Sequence, residues 1–209
     1  MGAQLARENH VESDLIIPVP DSGVSAAIGY SEEIKKNVEL GIIRNHYVGR
    51  TFIEPTQQIR SFGVKLKHNI NKSLIKNKTL ILIDDSLVRG TTSVKIIKML
   101  YNAGAKEVHL RIASPPIKYP DYYGVDTHDK NELLASKYDL EGMRKFINAT
   151  TLQFLSIEGL YKSMGCEKRN SLYPQFTDHC FTGEYPIKPI DANDKKFIDK
   201  QLSFMSSKS

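Results

Sequence analysis

The sequence predicts an α/β protein, with a mostly parallel sheet flanked by helices and a C-terminal helical extension. One observation is that apolar runs of strand length alternate with segments of helical periodicity. Another is that the run from Leu80 to Ile83 is continuously apolar, which is typical of strands buried on both faces of a parallel sheet. We expect a core over residues 1–115, an extension over 116–186 and a polar tail over 187–209.

The first predicted unit is a strand, a tight loop and a helix. The strand is the β-rich apolar run from Leu15 to Pro20, the loop is Asp21 to Gly23, and the small residues from Val24 to Tyr30 begin the helix. A second apolar run, from Val38 to Ile43, follows. The polar stretch from Arg44 to Gln58 has little periodicity, and we expect it to be a long, mobile loop.

The next predicted unit surrounds the strand at Leu80 to Ile83. A modest helix is predicted before it from the apolar positions Val64, Leu66 and Ile70. The helix after it has apolar residues at helical spacing, and we expect it to begin with Thr92 or Ser93 as N-cap and to end at Gly104. Val108 to Ala113 forms the following strand.

Beyond Ser114 the chain changes character, because prolines and glycines mark several loops. Short helices are predicted at Glu132 to Ala135, Leu140 to Ile147 and Ile157 to Met164. Ser156 caps the last of these helices and Gly165 stops it.

Composition narrows the class of protein. A chain of 209 residues can bury one substantial core, and no apolar run is long enough to span a bilayer. Charges in the first eight residues argue against a signal peptide, so we expect a cytoplasmic protein without membrane association.

The two cysteines and the net charge narrow the class further. Cys166 and Cys180 are not spaced as in a disulfide framework or a zinc site. The net charge of +5 comes from basic residues scattered among acids, so we expect no nucleic-acid partner and consider small polyanions equally compatible.

The segment from Leu80 to Ser93, LILIDDSLVRGTTS, carries the chemistry. Its strand delivers Asp84 and Asp85 to the carboxyl edge of the sheet, where carboxylates suit sugar hydroxyls and Mg²⁺. Arg89 to Ser93 then places a glycine, hydroxyls and unpaired backbone N–H groups at a helix N-terminus, which suits a phosphate. Two acids alone indicate a solvated turn, but the complete ordered pattern favours a binding site. The lysine of a Walker loop is missing.

This segment resembles the binding signature for phosphoribosyl pyrophosphate (PRPP) in type I phosphoribosyltransferases. Two other segments resemble amidophosphoribosyltransferases in particular. RNHYVGRTFI, from Arg44 to Ile53, is similar to their flexible catalytic loop, and PVPDSG, from Pro18 to Gly23, is similar to their pyrophosphate-side loop. The C-terminal strings YGVD, ELLA and CFTGEYP also resemble this family, so the resemblance extends to about Pro186.

The resemblance implies a Mg²⁺-dependent glycosyltransferase that forms 5-phosphoribosylamine from PRPP and ammonia, releases pyrophosphate, and begins purine nucleotide synthesis. The implied PRPP-binding residues are Asp21, Ser22, Asp84, Asp85, Ser86, Arg89, Gly90, Thr91, Thr92 and Ser93. Mg²⁺ is implied near Ser22, Asp84 and Asp85, and catalytic roles are implied for Arg44, Tyr47 and Arg50. We also expect a homo-oligomer.

Two departures from the family pattern matter. Full-length members begin with a glutaminase domain whose N-terminal cysteine attacks glutamine, whereas Gly2 follows the first methionine here and no cysteine precedes Cys166. We therefore expect glutamine hydrolysis to require a domain or chain that is missing here. Asp121 and Thr177 stand where two cluster-binding cysteines are expected, and Cys180 alone resembles a ligand, so we expect no iron–sulfur cluster.

Three other interpretations remain open. A nucleobase phosphoribosyltransferase of the orotate or hypoxanthine type would share the PRPP loop, although the catalytic-loop and C-terminal strings argue against it. A non-enzymatic PRPP-binding regulator would need a nucleic-acid-binding face, and the sequence contains no sign of one. An inactive remnant is opposed by the intact site motifs, which do not exclude loss of the partner domain.

Overall fold

The main sheet of the computed structural model, which describes residues 1–45, 68–125, 127 and 129–187, is parallel. Its strands, in the order in which they lie side by side, are β1 (Leu15–Pro18), β4 (Thr79–Asp84), β5 (Glu107–Ile112) and β6 (Thr151–Phe154). The carboxyl ends of these strands therefore meet at one edge. The predicted α/β fold is confirmed.

Two layers of helices cover this sheet because side chains alternate between its faces. Ile81 and Ile83 pack in one core cluster with α1 (Gly2–Asn9) and α2 (Val24–Ile34). Leu80 and Leu82 point into the larger cluster on the other face. The helices that contribute to this larger cluster are α3 (Lys72–Ile75), α4 (Thr91–Asn102), α5 (Leu134–Lys137) and α6 (Leu140–Ile147).

A small antiparallel pair lies apart from the main sheet. Strand β2 (Ile42–Arg44) pairs with β3 (His68–Ile70), so that Ile42 lies opposite Ile70. The helix predicted to include Ile70 is therefore wrong at that position, because pairing with a strand distant in sequence determines the backbone there. The other two residues on which that prediction depended, Val64 and Leu66, lie outside the described residues.

The C-terminal part contributes helices and one strand. A 3-10 turn (Lys130–Glu132) leads into α5 and α6, and the chain continues through β6 to α7 (Ile157–Ser163) and α8 (His179–Thr182). The hydroxyl of Ser156 accepts a hydrogen bond from the Gly159 amide, as expected of the predicted N-cap. Because β6 pairs with β5, the main sheet continues past the boundary predicted at residue 115.

None of the described helices has both the length and the apolar character needed to traverse a lipid bilayer.

Candidate active site

A cleft of about 500 Å³ lies at the carboxyl edge of the main sheet. Its lining includes most of the predicted site residues: Ser22, Arg44, Asp84, Asp85, Ser86, Arg89, Gly90, Thr91, Thr92 and Ser93. Parallel strands bring these residues together because the loops that follow β1 and β4 leave the sheet side by side. Asp21 is absent from the lining, although it contacts Arg44. Tyr47 and Arg50 lie outside the described residues.

The two adjacent acids occupy different environments. Asp84 is the last residue of β4 and is 7% exposed, whereas Asp85 is exposed in the following loop. One Asp84 carboxylate oxygen accepts hydrogen bonds from the Ser22 hydroxyl, at 2.8 Å, and from the Asp85 amide, at 2.9 Å. The Ser86 hydroxyl donates to Asp85 at 3.1 Å. The cleft therefore presents a cluster of oxygen atoms at the strand end.

Burial raises the pKa of Asp84 from the ordinary aspartate range to about 7, and the neighbouring Asp85 carboxylate acts in the same direction. The hydrogen bond from Ser22 favours the charged form but does not offset the loss of solvation. The ionised carboxylate of Asp84 has lost most of its solvation, and its hydrogen bonds do not replace it. A bound cation would therefore stabilise the ionised form.

The loop between β1 and α2 reaches the end of β4 through its backbone. The amide of Val19 donates to the Ile83 carbonyl at 2.8 Å, which continues the β1–β4 pairing by one residue. A Cβ atom at Gly23 would lie 2.1 Å from that same carbonyl oxygen, so only glycine fits there. The peptide bond between Pro20 and Asp21 is cis. The close approach of Gly23 to the end of β4 brings the Ser22 hydroxyl within hydrogen-bonding distance of Asp84.

The predicted phosphate cradle is the start of α4. Gly90 is the N-cap residue with φ of 73°, and helix α4 begins at Thr91. The prediction that Thr92 or Ser93 caps this helix is therefore wrong, because the left-handed glycine starts the helix earlier. A glycine cap has no side chain to occupy the first amides, so the N–H groups of Thr91 to Ser93, residues that line the cleft, have no side-chain cap.

Residues of the C-terminal part pack against the loop from Val88 to Gly90, which precedes α4. A Cβ atom at Gly90 would lie 2.8 Å from a methyl carbon of Leu134 and 3.4 Å from the ring of Phe146. The amide of Leu134 donates to the Val88 carbonyl at 2.8 Å, and Arg89 forms an ion pair with Glu132. Residues beyond 115 therefore hold the cradle in place.

Arg44 lies on the opposite side of the cleft at the end of β2. Its guanidinium forms an ion pair with Asp21 at 2.5 Å, which connects β2 to the loop that carries Ser22. Both members of this pair are partly exposed, so the pair contributes at most about 1 kcal/mol to stability and is easily exchanged for another anion.

Two polar residues of the cleft were not predicted from the sequence. His68, at the start of β3, and Thr127 both line it. A signal for His68 was available, because Ile70 and His68 are two residues apart and share one face of a strand. The assignment of this region to a helix concealed that pattern. No sequence signal identifies Thr127, which reaches the cleft through the tertiary fold.

The donor set of the cleft suits Mg²⁺, which takes oxygen ligands and is commonly held by one or two carboxylates together with substrate phosphates. Asp84, Asp85 and the Ser22 hydroxyl supply such oxygen atoms. Within the described ranges, no group of three or more acidic, histidine or cysteine side chains is placed to hold a metal without a substrate. The buried carboxylate of Asp84, with its raised pKa, is the observation that favours a cation here.

Asp121, one of the two residues that stand where cluster-binding cysteines were expected, is part of a different arrangement. Asp121 and His179 are buried and are joined by a hydrogen bond of 2.8 Å, with the rings of Tyr123 and Tyr185 packed on the imidazole. Burial raises the pKa of the Cys180 thiol to about 11. The Asp121–His179 pair therefore fastens α8 to the loop that contains Asp121.

Comparison with known proteins adds the family. No family model matches the chain. It is 57% identical over 208 residues to an amidophosphoribosyltransferase of Rhizobium etli, covering 99% of this chain and 42% of that protein. It is 49% identical over 188 residues to an amidophosphoribosyltransferase of Bacillus subtilis, covering 90% of this chain and 39% of that protein.

A solved structure shows similarity to the same family. The glutamine PRPP amidotransferase of Bacillus subtilis, complexed with ADP and GMP, superposes with a TM-score of 0.78 at 49% identity, covering 88% of this chain and 40% of that chain. The chain thus spans about two fifths of the length of the relatives it matches. It belongs to the amidophosphoribosyltransferase family, matches the phosphoribosyltransferase part, and has the type I phosphoribosyltransferase fold.

Proposed function

We propose that this chain transfers the phosphoribosyl group of PRPP to ammonia, forming 5-phosphoribosylamine and pyrophosphate for purine nucleotide synthesis. The observation that carries the proposal is the cleft itself, in which paired acids face a glycine-capped helix N-terminus. That juxtaposition matches a substrate with a phosphate, a sugar and a second, larger anionic group. A nucleobase phosphoribosyltransferase is less well supported, because the relatives are amidophosphoribosyltransferases.

The amides of Thr91 to Ser93 would bind the 5-phosphate. Helix α4 has 12 residues, so its dipole adds to the direct hydrogen bonds from its first turn. Arg89 lies at the edge of this cradle, paired with Glu132, and its guanidinium would add charge to the same phosphate. The sugar hydroxyls would then lie against Asp84 and Asp85, which can accept hydrogen bonds.

Pyrophosphate would lie between Ser22 and Arg44. Breaking the bond to the anomeric carbon leaves negative charge on this group, which Arg44 stabilises through its guanidinium. Mg²⁺, held by Asp84, Asp85 and the Ser22 hydroxyl, would neutralise part of that charge when bound. The apolar residues of the cleft lining, Val19, Leu87 and Val88, would limit access of water to the reacting carbon when substrate is bound.

Domain organisation, oligomeric state and the source of ammonia are also part of the proposal. We propose a PRPP-binding core over residues 1–115 that requires the segment 116–186 for its phosphate loop, because a Cβ atom at Gly90 would meet Leu134 and Phe146. We also propose a homo-oligomer, and a separate glutaminase domain or chain as the source of ammonia from glutamine. Tyr47 and Arg50 keep their proposed catalytic roles on the pyrophosphate side.

The test is pyrophosphate release from PRPP and Mg²⁺ with either ammonium or glutamine as nitrogen donor. We expect release with ammonium and only background release with glutamine. Equal rates with the two donors would contradict the assignment of glutamine hydrolysis to a domain or chain outside this sequence. No release with either donor, from folded protein that holds Mg²⁺, would contradict the proposed transferase activity.

A further inference from the structure

We propose that His68 is a further binding residue for the pyrophosphate group, acting beside Arg44. The inference rests on the proposed function and adds a residue to that site. His68 lies on β3, directly opposite Arg44 on β2, and both side chains line the cleft.

The alternation of side chains along β2 and β3 explains why these two residues point into the cleft. Ile42 is buried and its partner Ile70 packs on the core, whereas Ile43 is 53% exposed on the outer face. Residues two positions apart share a face, so Arg44 and His68 lie on the same face as Ile42 and Ile70. They stand just past the end of the core, where that face borders the cleft.

Directly opposed residues in an antiparallel pair have Cβ atoms about 4.5 to 5.5 Å apart. Arg44 and His68 therefore present a guanidinium and an imidazole to one small region. Arg44 contacts Asp21, which is next to Ser22, so this region is the pyrophosphate end of the cleft rather than the 5-phosphate end. The 5-phosphate end has its own donors at Thr91 to Ser93.

Pyrophosphate suits this pair of side chains better than one phosphate does. It has oxygen atoms on two phosphorus centres, so two donors from neighbouring strands can each reach a separate phosphoryl group. An imidazole N–H donates one hydrogen bond to a phosphate oxygen in the neutral ring and carries positive charge in the protonated ring. His68 would thus orient the leaving group for departure while Arg44 neutralises its charge.

The experiment measures binding of two ligands to the full chain by calorimetry with Mg²⁺ present. Pyrophosphate reports on the proposed His68 position, and ribose 5-phosphate reports on the cradle at the other end. For His68→Ala we expect pyrophosphate binding to weaken about tenfold or more, with ribose 5-phosphate binding unchanged, since a hydrogen bond to a charged group is lost. His68→Gln keeps an N–H donor and should recover most of the affinity.

His10→Ala is the matched control, because His10 follows α1 and pairs with Glu12 before β1, at the opposite edge of the sheet. It should change neither affinity. Wild-type pyrophosphate affinity in His68→Ala, or equal losses for both ligands, would overturn the role of His68. If the wild-type chain binds neither ligand, the proposed function fails and this inference fails with it, whereas the first two outcomes leave the proposed function in place.

Discussion

Asp84 combines burial with a role that requires negative charge. A carboxylate that is 7% exposed and accepts two hydrogen bonds through one oxygen is poorly solvated, and its pKa rises to about 7. In the unfolded chain the same group has a pKa near 3.8. Folding therefore favours the protonated form, and the stability that this provides is present below about pH 4 and is lost as the pH rises toward 7.

Because folding raises the pKa of Asp84, binding of Mg²⁺ to this site should depend on pH. A bound Mg²⁺ favours the ionised form of Asp84, so its binding opposes protonation. We expect Mg²⁺ with pyrophosphate to raise the melting temperature more at about pH 8 than at about pH 5.5. Asp84→Asn should make this difference smaller but not remove it, because asparagine does not titrate whereas the pyrophosphate still ionises at about pH 6. Thermal melts at both pH values are the measurement, and an increment that is larger at the lower pH would contradict the account.

The second prediction concerns activity. Asp84→Asn and Asp85→Asn should each lower ammonium-dependent turnover by about tens to a thousandfold, since each removes a charge that acts on the transition state, worth about 2 to 4 kcal/mol. Both variants should stay folded, because volume is nearly unchanged. Glu12→Gln, an exposed change before β1, serves as control and should keep wild-type turnover. Normal turnover in both aspartate variants would show that the acids form only a solvated turn.

At the scale of elements, the β4–loop–α4 unit was predictable because its signals are local. A continuous apolar run, paired acids and a glycine before hydroxyl residues predict strand, loop and helix without long-range information. The helix start was misplaced by two or three residues, since the N-cap is Gly90, whose positive φ carries no side-chain capping signal. Strand β3 was missed because its partner, β2, is distant in the chain.

The third prediction tests the backing of the phosphate loop. Gly90→Ala places a Cβ in a left-handed conformation and against Leu134, whereas Gly165→Ala has a similar φ of 84° with no atom within 4 Å. Backbone strain should cost about 1 to 2 kcal/mol in each variant. Only Gly90→Ala should also raise KM for PRPP, because the cradle must shift. Steady-state kinetics and urea unfolding separate the two effects, and an unchanged KM in Gly90→Ala would contradict the assigned cradle.

The fourth prediction concerns the buried pair that fastens α8. His179→Ala removes one hydrogen bond from the buried Asp121 carboxylate, which keeps those from the Tyr123 and Val125 amides, and losing a hydrogen bond to a charged group costs about 1.5 to 3 kcal/mol. The free energy of unfolding from urea titration should fall by that amount. His10→Ala is the control, since that imidazole is partly exposed and should change stability little. A loss below about 1 kcal/mol in His179→Ala would show that the pair does not anchor this segment.

For the whole molecule, the fold class and most residues of the cleft could be predicted from the sequence. The contacts by which segments distant in the chain complete the cleft could not. The paired acids were predicted at the end of the strand, where the structure has them, because strand and acids lie within one short segment. Helix α1 and strand β6 were not predicted, since both are short and gain their stability from tertiary packing. Thr127 reaches the cleft only through the fold, so no local pattern identifies it, whereas the strand pattern that includes His68 was concealed by the helix assignment.

The most direct test of the central claim is a crystal structure of this chain with Mg²⁺ and a PRPP analogue whose pyrophosphate cannot leave. We expect the 5-phosphate on the amides of Thr91 to Ser93, the sugar hydroxyls against Asp84 and Asp85, and the pyrophosphate beside Ser22 and Arg44. Analogue bound in the reverse orientation, or outside this cleft, would contradict it.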